Sequence, residues 1–241
     1  IHPILEDETN QMILARHVGV DFTCCVAVSW IGIANRHHMS DLLDSFFSLG
    51  KRTMDGNFEN RLFKFIPGGN HVLLMFFAYQ VKNTYDTIIW NDGPEYLFHH
   101  ILAGTAAWGG MYPGCAQYYA IFFMGISEVS TAILVLLANF DPDLGVKGLE
   151  DVLPMTRIVV AVAFVLAFIF CRTLLWPCTT YYFCKDVFAA LAADSKEAKT
   201  HKKWLWTFMV TLTGLSLLQV IWLGQIIILA REEILKLMEE N

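Results

Sequence analysis

Six long apolar runs dominate the chain, at 17–34, 65–90, 94–112, 116–137, 154–176 and 203–230. Each reaches or approaches the ~20 residues a helix needs to cross ~30 Å of hydrocarbon. The expected fold is all-α: a polytopic membrane bundle of about six transmembrane helices. Composition agrees. Hydrophobic residues make up 55% and charged residues 17%, with a mean hydropathy of +0.45, whereas a soluble domain carries nearer ~25% charged residues. The net charge of −6 argues against a nucleic-acid partner, because phosphate binding needs a basic face.

The punctuation between the runs sets the organisation. Residues 1–16 form an N-terminal segment, 17–230 the transmembrane domain, and 231–241 a C-terminal helical tail. Starting at Ile1 rather than Met, the sequence is expected to follow a removed leader or to begin inside a longer chain; no signal peptide is legible. Asn91-Asp92-Gly93 signals a turn, and Pro94 suits a first helical position. Tyr112-Pro113-Gly114 leaves room only for a tight helical hairpin. The 35–64 link contains apolar residues at helical spacing over about 40–50, the pattern of an amphipathic helix on the membrane surface. Its Phe46 and Phe47 are expected to face lipid or the bundle, and Asp41 and Asp44 water. Trp30, Trp90, Trp108, Trp176, Trp204 and Trp206 fall near proposed span ends, where indole rings prefer to sit; Trp222 lies inside the last span. Asp141-Pro142-Asp143 with Gly145 reads as a plain turn, since the other ligands of a calcium loop are missing.

Six spans put both termini on one side. Arg36, Lys51, Arg52, Arg61 and Lys64, with Lys185, Lys196, Lys199, Lys202 and Lys203, fall on the other. The positive-inside rule places those two links in the cytosol, or in an organelle's matrix or stroma, although Arg16, Lys147 and Arg231 weaken the bias. The six cysteines show no C-x-x-C spacing and read as buried thiols.

Ionisable groups at membrane depth cost several kcal/mol unless they face the bundle interior and find partners. Counting ~1.5 Å per residue, His99 and His100 lie about 8 Å in from the terminal side, with Asp86 at a similar level. Glu128 sits near the midplane, and Arg172 lies about 7 Å in from the opposite side. Asp86, the histidines and Glu128 are therefore expected to line one cavity. Adjacent residues on a helix diverge by ~100°, so one histidine faces the cavity and the other braces a neighbouring helix. A histidine beside a carboxylate gains basicity and can serve as a general base or acyl-accepting nucleophile; the competing reading is interhelical hydrogen-bond glue. No metal is expected. Neither His37-His38 nor His99-His100 forms a di-iron histidine box, and His71 stands at the other end of its span from His99, which disfavours a bis-histidine haem.

The run Tyr96-Leu97-Phe98-His99-His100-Ile101-Leu102-Ala103-Gly104 resembles the histidine-pair helix of the TLC-domain family. Glu128-Val129-Ser130-Thr131 resembles its E-x-S-T element, and Phe170-Cys171-Arg172 with Pro177 its F-x-R…P helix. Leu218-Gln219-Val220-Ile221-Trp222 resembles the end of its last helix, and Ala78-Tyr79 with Asp86 its second helix. The resemblance covers about 62–230. It implies a helical bundle around a lipid-sized cavity, in an endoplasmic reticulum or another organellar membrane. On the pattern of the family's ceramide synthases, His99 and His100 would be catalytic, with acyl-CoA as substrate and no cofactor. The sequence departs from that subgroup, because 101–127 contains no Asp or Glu after the histidine pair. The resemblance is closer to the non-synthase members. The expected partners are membrane lipids, gripped at a headgroup by Asp86, Glu128, Arg172 and Gln219. An acyltransferase and a non-catalytic subunit of a larger membrane complex are the alternatives.

Overall fold

The computed structural model describes residues 3–48, 54 and 57–239, and every regular element among them is helical. After a 3-10 turn at Pro3–Glu6 come α1 (Glu8–Ala34), α2 (Ser40–Phe47), α3 (Phe58–Phe63), α4 (Pro67–Trp90), α5 (Pro94–Met111) and α6 (Gln117–Ala138). Then follow α7 (Leu149–Val152), α8 (Pro154–Ala193) and α9 (Lys196–Glu239). Lys51 and Arg52 lie outside the described residues.

The six expected runs correspond to α1, α4, α5, α6, α8 and α9, but only four of these helices (α1, α6, α8 and α9) are long and apolar enough to span alone. The other two, α4 and α5, pack extensively on each other. Their polar residues explain the difference. Gln80, Asn83 and Thr87 are buried on α4, and His99 and His100 dilute the hydropathy of α5. A helix that hides its polar face against neighbours need not be apolar all round.

Three boundaries depart from the sequence expectation. First, α1 begins nine residues earlier, at Glu8, where Asp7 caps it by accepting from the Thr9 and Asn10 amides. Second, the fifth span does not stop at Trp176; α8 runs on through Pro177 to Ala193, 40 residues in all, or ~60 Å, twice the hydrocarbon thickness. Proline lacks an N–H and clashes with the carbonyl four residues back in a regular α-helix. Here the preceding turn, Ile169–Leu175, is π-helical, and the Trp176 amide bonds the Cys171 carbonyl five residues back. The widened turn accommodates the ring, so Lys185 sits on an exposed helical face rather than in a loop. Third, α9 starts at Lys196, not 203, one turn after Asp194 takes the left-handed conformation at φ 51°.

Tight turns behave as read. Asn91 adopts φ 55° before Gly93 and Pro94. Gly114 (φ 86°) and Ala116 (φ 60°) reverse the chain between α5 and α6. The fully buried Gln117 pins this hairpin, accepting from the Ile66 amide at 2.7 Å and donating to the Gly110 carbonyl at 3.3 Å. On the terminal side, the Asn10 side-chain amide accepts from the Lys147 backbone N–H at 3.0 Å and donates to the Lys147 carbonyl at 3.3 Å, joining the N-terminal segment to the α6–α8 link. Asp141 accepts from the Asp143 and Leu144 amides at 2.9 and 2.8 Å, as a turn residue does.

The surface helix α2 is amphipathic, with Leu42 and Ser45 buried and Phe47 exposed. Asp41 faces water only in part, its side chain 38% exposed. It accepts the Tyr118 hydroxyl and lies 3.6 Å from Arg61. Trp176 is likewise no interfacial anchor: it is 3% exposed, in the middle of α8.

Close helix crossings depend on small residues, which let backbones approach in a bilayer. At the α1–α6 crossing, a Cβ on Gly32 would meet the Ile126 nitrogen at 2.8 Å and the Gly125 Cα at 2.9 Å. Both contacts are backbone and cannot swing away. Gly32→Val should therefore cost at least the ~1–3 kcal/mol of overpacking, read as a lower melting temperature in detergent. An unchanged melting temperature would mean that the two helices are not closely crossed.

Candidate functional site

Two π-helical turns set up the centre of the bundle. One is Ile121–Ile126, after which the Ser127 amide bonds the Phe122 carbonyl at 3.0 Å. The other is Ile169–Leu175. A π turn inserts one residue and rotates the downstream face by ~100°. Glu128 follows the first and Arg172 lies within the second.

These two residues meet. Arg172 Nη2 is 2.7 Å from Glu128 Oε1, with both side chains about 95% buried (6% and 5% exposed). The same nitrogen donates to Thr131 Oγ1 at 3.0 Å, and Nε donates to Ser130 Oγ at 3.2 Å. The guanidinium stacks over the Trp176 ring at 5.1 Å, and Trp176 Nε1 donates to Ser216 Oγ at 3.1 Å. One arginine thus links α6 to α8 directly and α9 through the indole. Arginine keeps its charge in any environment and offers a planar fork of donors, so a carboxylate plus two hydroxyls is a fitting buried partner set.

Beside this pair lies a cavity with about 60 Å³ open to a water-sized sphere, within about 620 Å³ of atom-free space including its mouth. Its walls are mostly apolar, from Leu73, Phe76, Ala106, Phe123 and Phe208 among others. Its polar lining includes His99, Glu128, Arg172 and Thr211.

The expected site residues separate into three places. His99 lines the cavity, its ring edge-on to Trp222 at 5.3 Å, and its Nδ1 has no hydrogen-bond partner among the described residues. His100 turns to α4 instead, with Nδ1 2.7 Å from Gln80 Oε1. Neither histidine pairs directly with Glu128, whose carboxylate is taken by Arg172, although His99 and Glu128 line the same cavity. Asp86 does not join the cavity. It sits 2.7 Å from Lys82 Nζ and 3.6 Å from Arg16 Nε, in a terminal-side cluster with Asp21 and Asp92. A charge near the interface is satisfied by neighbouring opposite charges, here Lys82 on α4 itself and Arg16 on α1. Gln219 is buried on α9 with neither amide atom partnered among the described residues.

The family model of the TLC domain matches residues 19–228. The chain belongs to the TLC-domain family. No curated protein and no solved structure matches it. The matched stretch of this TLC-domain protein contains His99, His100, Glu128, Arg172 and Gln219.

A second buried polar cluster was not anticipated from the sequence. Arg61 makes a two-pronged contact to Asp186, at 2.6 and 2.8 Å, and Tyr119 donates to the same carboxylate at 2.6 Å. All three residues are buried. Arg61 had counted only as a loop charge, and Asp186 lay in a presumed link. They are 125 positions apart, and no local pattern announces the pairing. Tyr119 also lines the cavity, so this cluster adjoins its wall.

The different roles of the histidines can be tested. His100→Ala removes a hydrogen bond within the membrane and should lower stability by ~0.6–1.7 kcal/mol. His99→Ala removes no protein hydrogen bond at Nδ1 and should leave the melting temperature nearly unchanged while altering what the cavity holds. If His99→Ala proves the more destabilising of the two, His99 is a packing residue and not a cavity residue.

Proposed function

We propose that this integral membrane TLC-domain protein holds a lipid inside its helix bundle, and that lipid binding or control of lipid composition is its function. One observation carries the reading: a mostly apolar cavity in the bundle interior has polar groups, His99 and the Glu128–Arg172 pair, in its wall. Small-molecule sites have this character, largely hydrophobic with a few placed polar groups. The apolar wall suits an acyl chain, and the polar groups suit the first atoms of a head.

The test is to purify the protein in a mild detergent and identify retained lipids by native mass spectrometry. Wild-type protein should carry a defined lipid class, and Ala106→Phe, which fills the cavity, should lose it while remaining folded. Equal retention by both would place the lipid on the outer surface and refute the reading.

The unpartnered Nδ1 of His99, a residue of the cavity wall, also supports an acyltransferase reading, with that nitrogen as base or nucleophile. The lipid-holding reading is preferred because no carboxylate is hydrogen-bonded to either imidazole among the described residues, and an orienting carboxylate is what raises imidazole basicity. Acyl transfer from acyl-CoA that disappears in His99→Ala would reverse this preference.

A further inference from the structure

We propose that the cavity selects lipids whose buried polar end is uncharged, such as a hydroxyl or ester, over lipids ending in a carboxylate or phosphate. The proposal rests on the lipid-holding reading above and adds the chemistry of the ligand.

Charge comes first. Among the described residues lining the cavity, Arg172 is the single Lys or Arg and Glu128 the single Asp or Glu. They are joined at 2.7 Å, so their charges cancel within the wall. Ser130, Thr131 and the Trp176 ring occupy the guanidinium further. An anionic head brought here meets a carboxylate already on the only cation. It must displace Glu128 or share Arg172 with it, and like charges held close together outside water repel strongly. No carboxylate is hydrogen-bonded to His99 among the described residues, and a neutral imidazole offers one donor and one acceptor nitrogen.

Unspent hydrogen-bonding capacity is the second observation. The face of α9 that lines the cavity runs through Phe208, Thr211, Leu212 and Leu215. Gln219 continues this stripe by one turn, since residues four apart share a helix face. It is 6% exposed, and both its amide oxygen and nitrogen lack partners among the described residues. Three residues further on, Trp222 touches His99, whose Nδ1 is also unpartnered. Buried polar atoms are nearly always hydrogen-bonded. One amide and one imidazole nitrogen together offer donors and acceptors, which a hydroxyl or ester satisfies without introducing charge.

The experiment measures binding of four oleoyl lipids to purified protein in detergent, by native mass spectrometry and thermal shift. Two are neutral, monooleoylglycerol and methyl oleate. Two are anionic, oleate and oleoyl lysophosphatidate, tested at a pH where both are ionised. Wild-type protein should prefer the neutral pair by at least about tenfold, since like-charge contacts at an interface are strongly unfavourable. Equal or tighter binding of the anionic pair would overturn the proposal. Glu128→Gln leaves Arg172 uncompensated and should gain affinity for the anionic lipids. An unchanged order in that variant would also overturn it. If the single variant fails to insert, Glu128→Gln/Arg172→Gln keeps the wall neutral and should retain the wild-type order; loss of that order would overturn the proposal. Gln219→Leu should weaken monooleoylglycerol and leave oleate unaffected, and equal weakening of both would remove Gln219 from the site. Failure to bind any of the four lipids would refute the lipid-holding reading itself and this selectivity with it.

Discussion

Replacing Glu128 with glutamine should destabilise the protein more than replacing Arg172 with glutamine, and replacing both should cost less than either alone. Breaking a buried ion pair by removing one partner costs ~3–5 kcal/mol, because a charge is left in a low-dielectric interior. The two orphans are not equivalent. A lone Glu128 can take up a proton and become neutral. A lone Arg172 cannot shed its charge. Its cost at the centre of a membrane helix is ~2.5–3.5 kcal/mol even on the most lenient scale. Arg172→Gln should therefore fall near the low end of the range and Glu128→Gln near the high end. The measurement is the unfolding midpoint of the four proteins in one detergent, assembled as a double-mutant cycle. Additive single effects would mean that the 2.7 Å contact contributes no coupling.

Asp186→Leu should cost about 3 kcal/mol or more. It takes the carboxylate away from both Arg61 and the Tyr119 hydroxyl, each buried. Asp41, 3.6 Å from Arg61, offsets part of the loss, which keeps the expectation at the lower end. Tyr119→Phe should cost ~1.5–3 kcal/mol, the range for a hydrogen bond to a charged group, and leave the Arg61–Asp186 pair in place. The order Asp186→Leu above Tyr119→Phe is the readout. A reversed order would mean that the Tyr119 hydroxyl, and not the Arg61–Asp186 pair, carries most of the stabilisation.

Much of the bundle was legible from the residues. The turn at 91–93 and the hairpin at 112–116 were read from Asn, Gly and Pro, whose backbone preferences act over a few residues and need no distant partner. The amphipathic α2 was read from spacing alone. The divergence of His99 and His100 followed from the ~100° between neighbours on a helix. Each of these features depends on local chemistry or on one helix's own period.

The misses have a common cause. The fifth span was expected to end at Trp176, and the π turn before Pro177 lets α8 continue. That turn is held by packing around Arg172 and Trp176, not by any propensity of Ile169–Leu175. Asp86 looked like a member of the histidines' cavity because its depth matched theirs. Depth is one coordinate; which neighbour a side chain meets depends on rotation about the helix axis and on the neighbour's identity. Asp86 found Lys82 and Arg16, and Glu128 found Arg172. Tryptophan at a span end signals an interface only if the span ends there, and Trp176 lies inside a helix that runs on to Ala193.

The sequence alone determined that this chain is an all-helical membrane protein and that polar groups gather in its interior. Hydrocarbon excludes unpaired polar backbone and charge, so long apolar runs and their few ionisable residues carry that information directly. Only the tertiary structure decided the pairing. Arg61 with Asp186 and Arg172 with Glu128 span 125 and 44 positions. The low-dielectric interior makes such contacts strong, but which charge meets which is set by helix rotation and packing that no local pattern encodes.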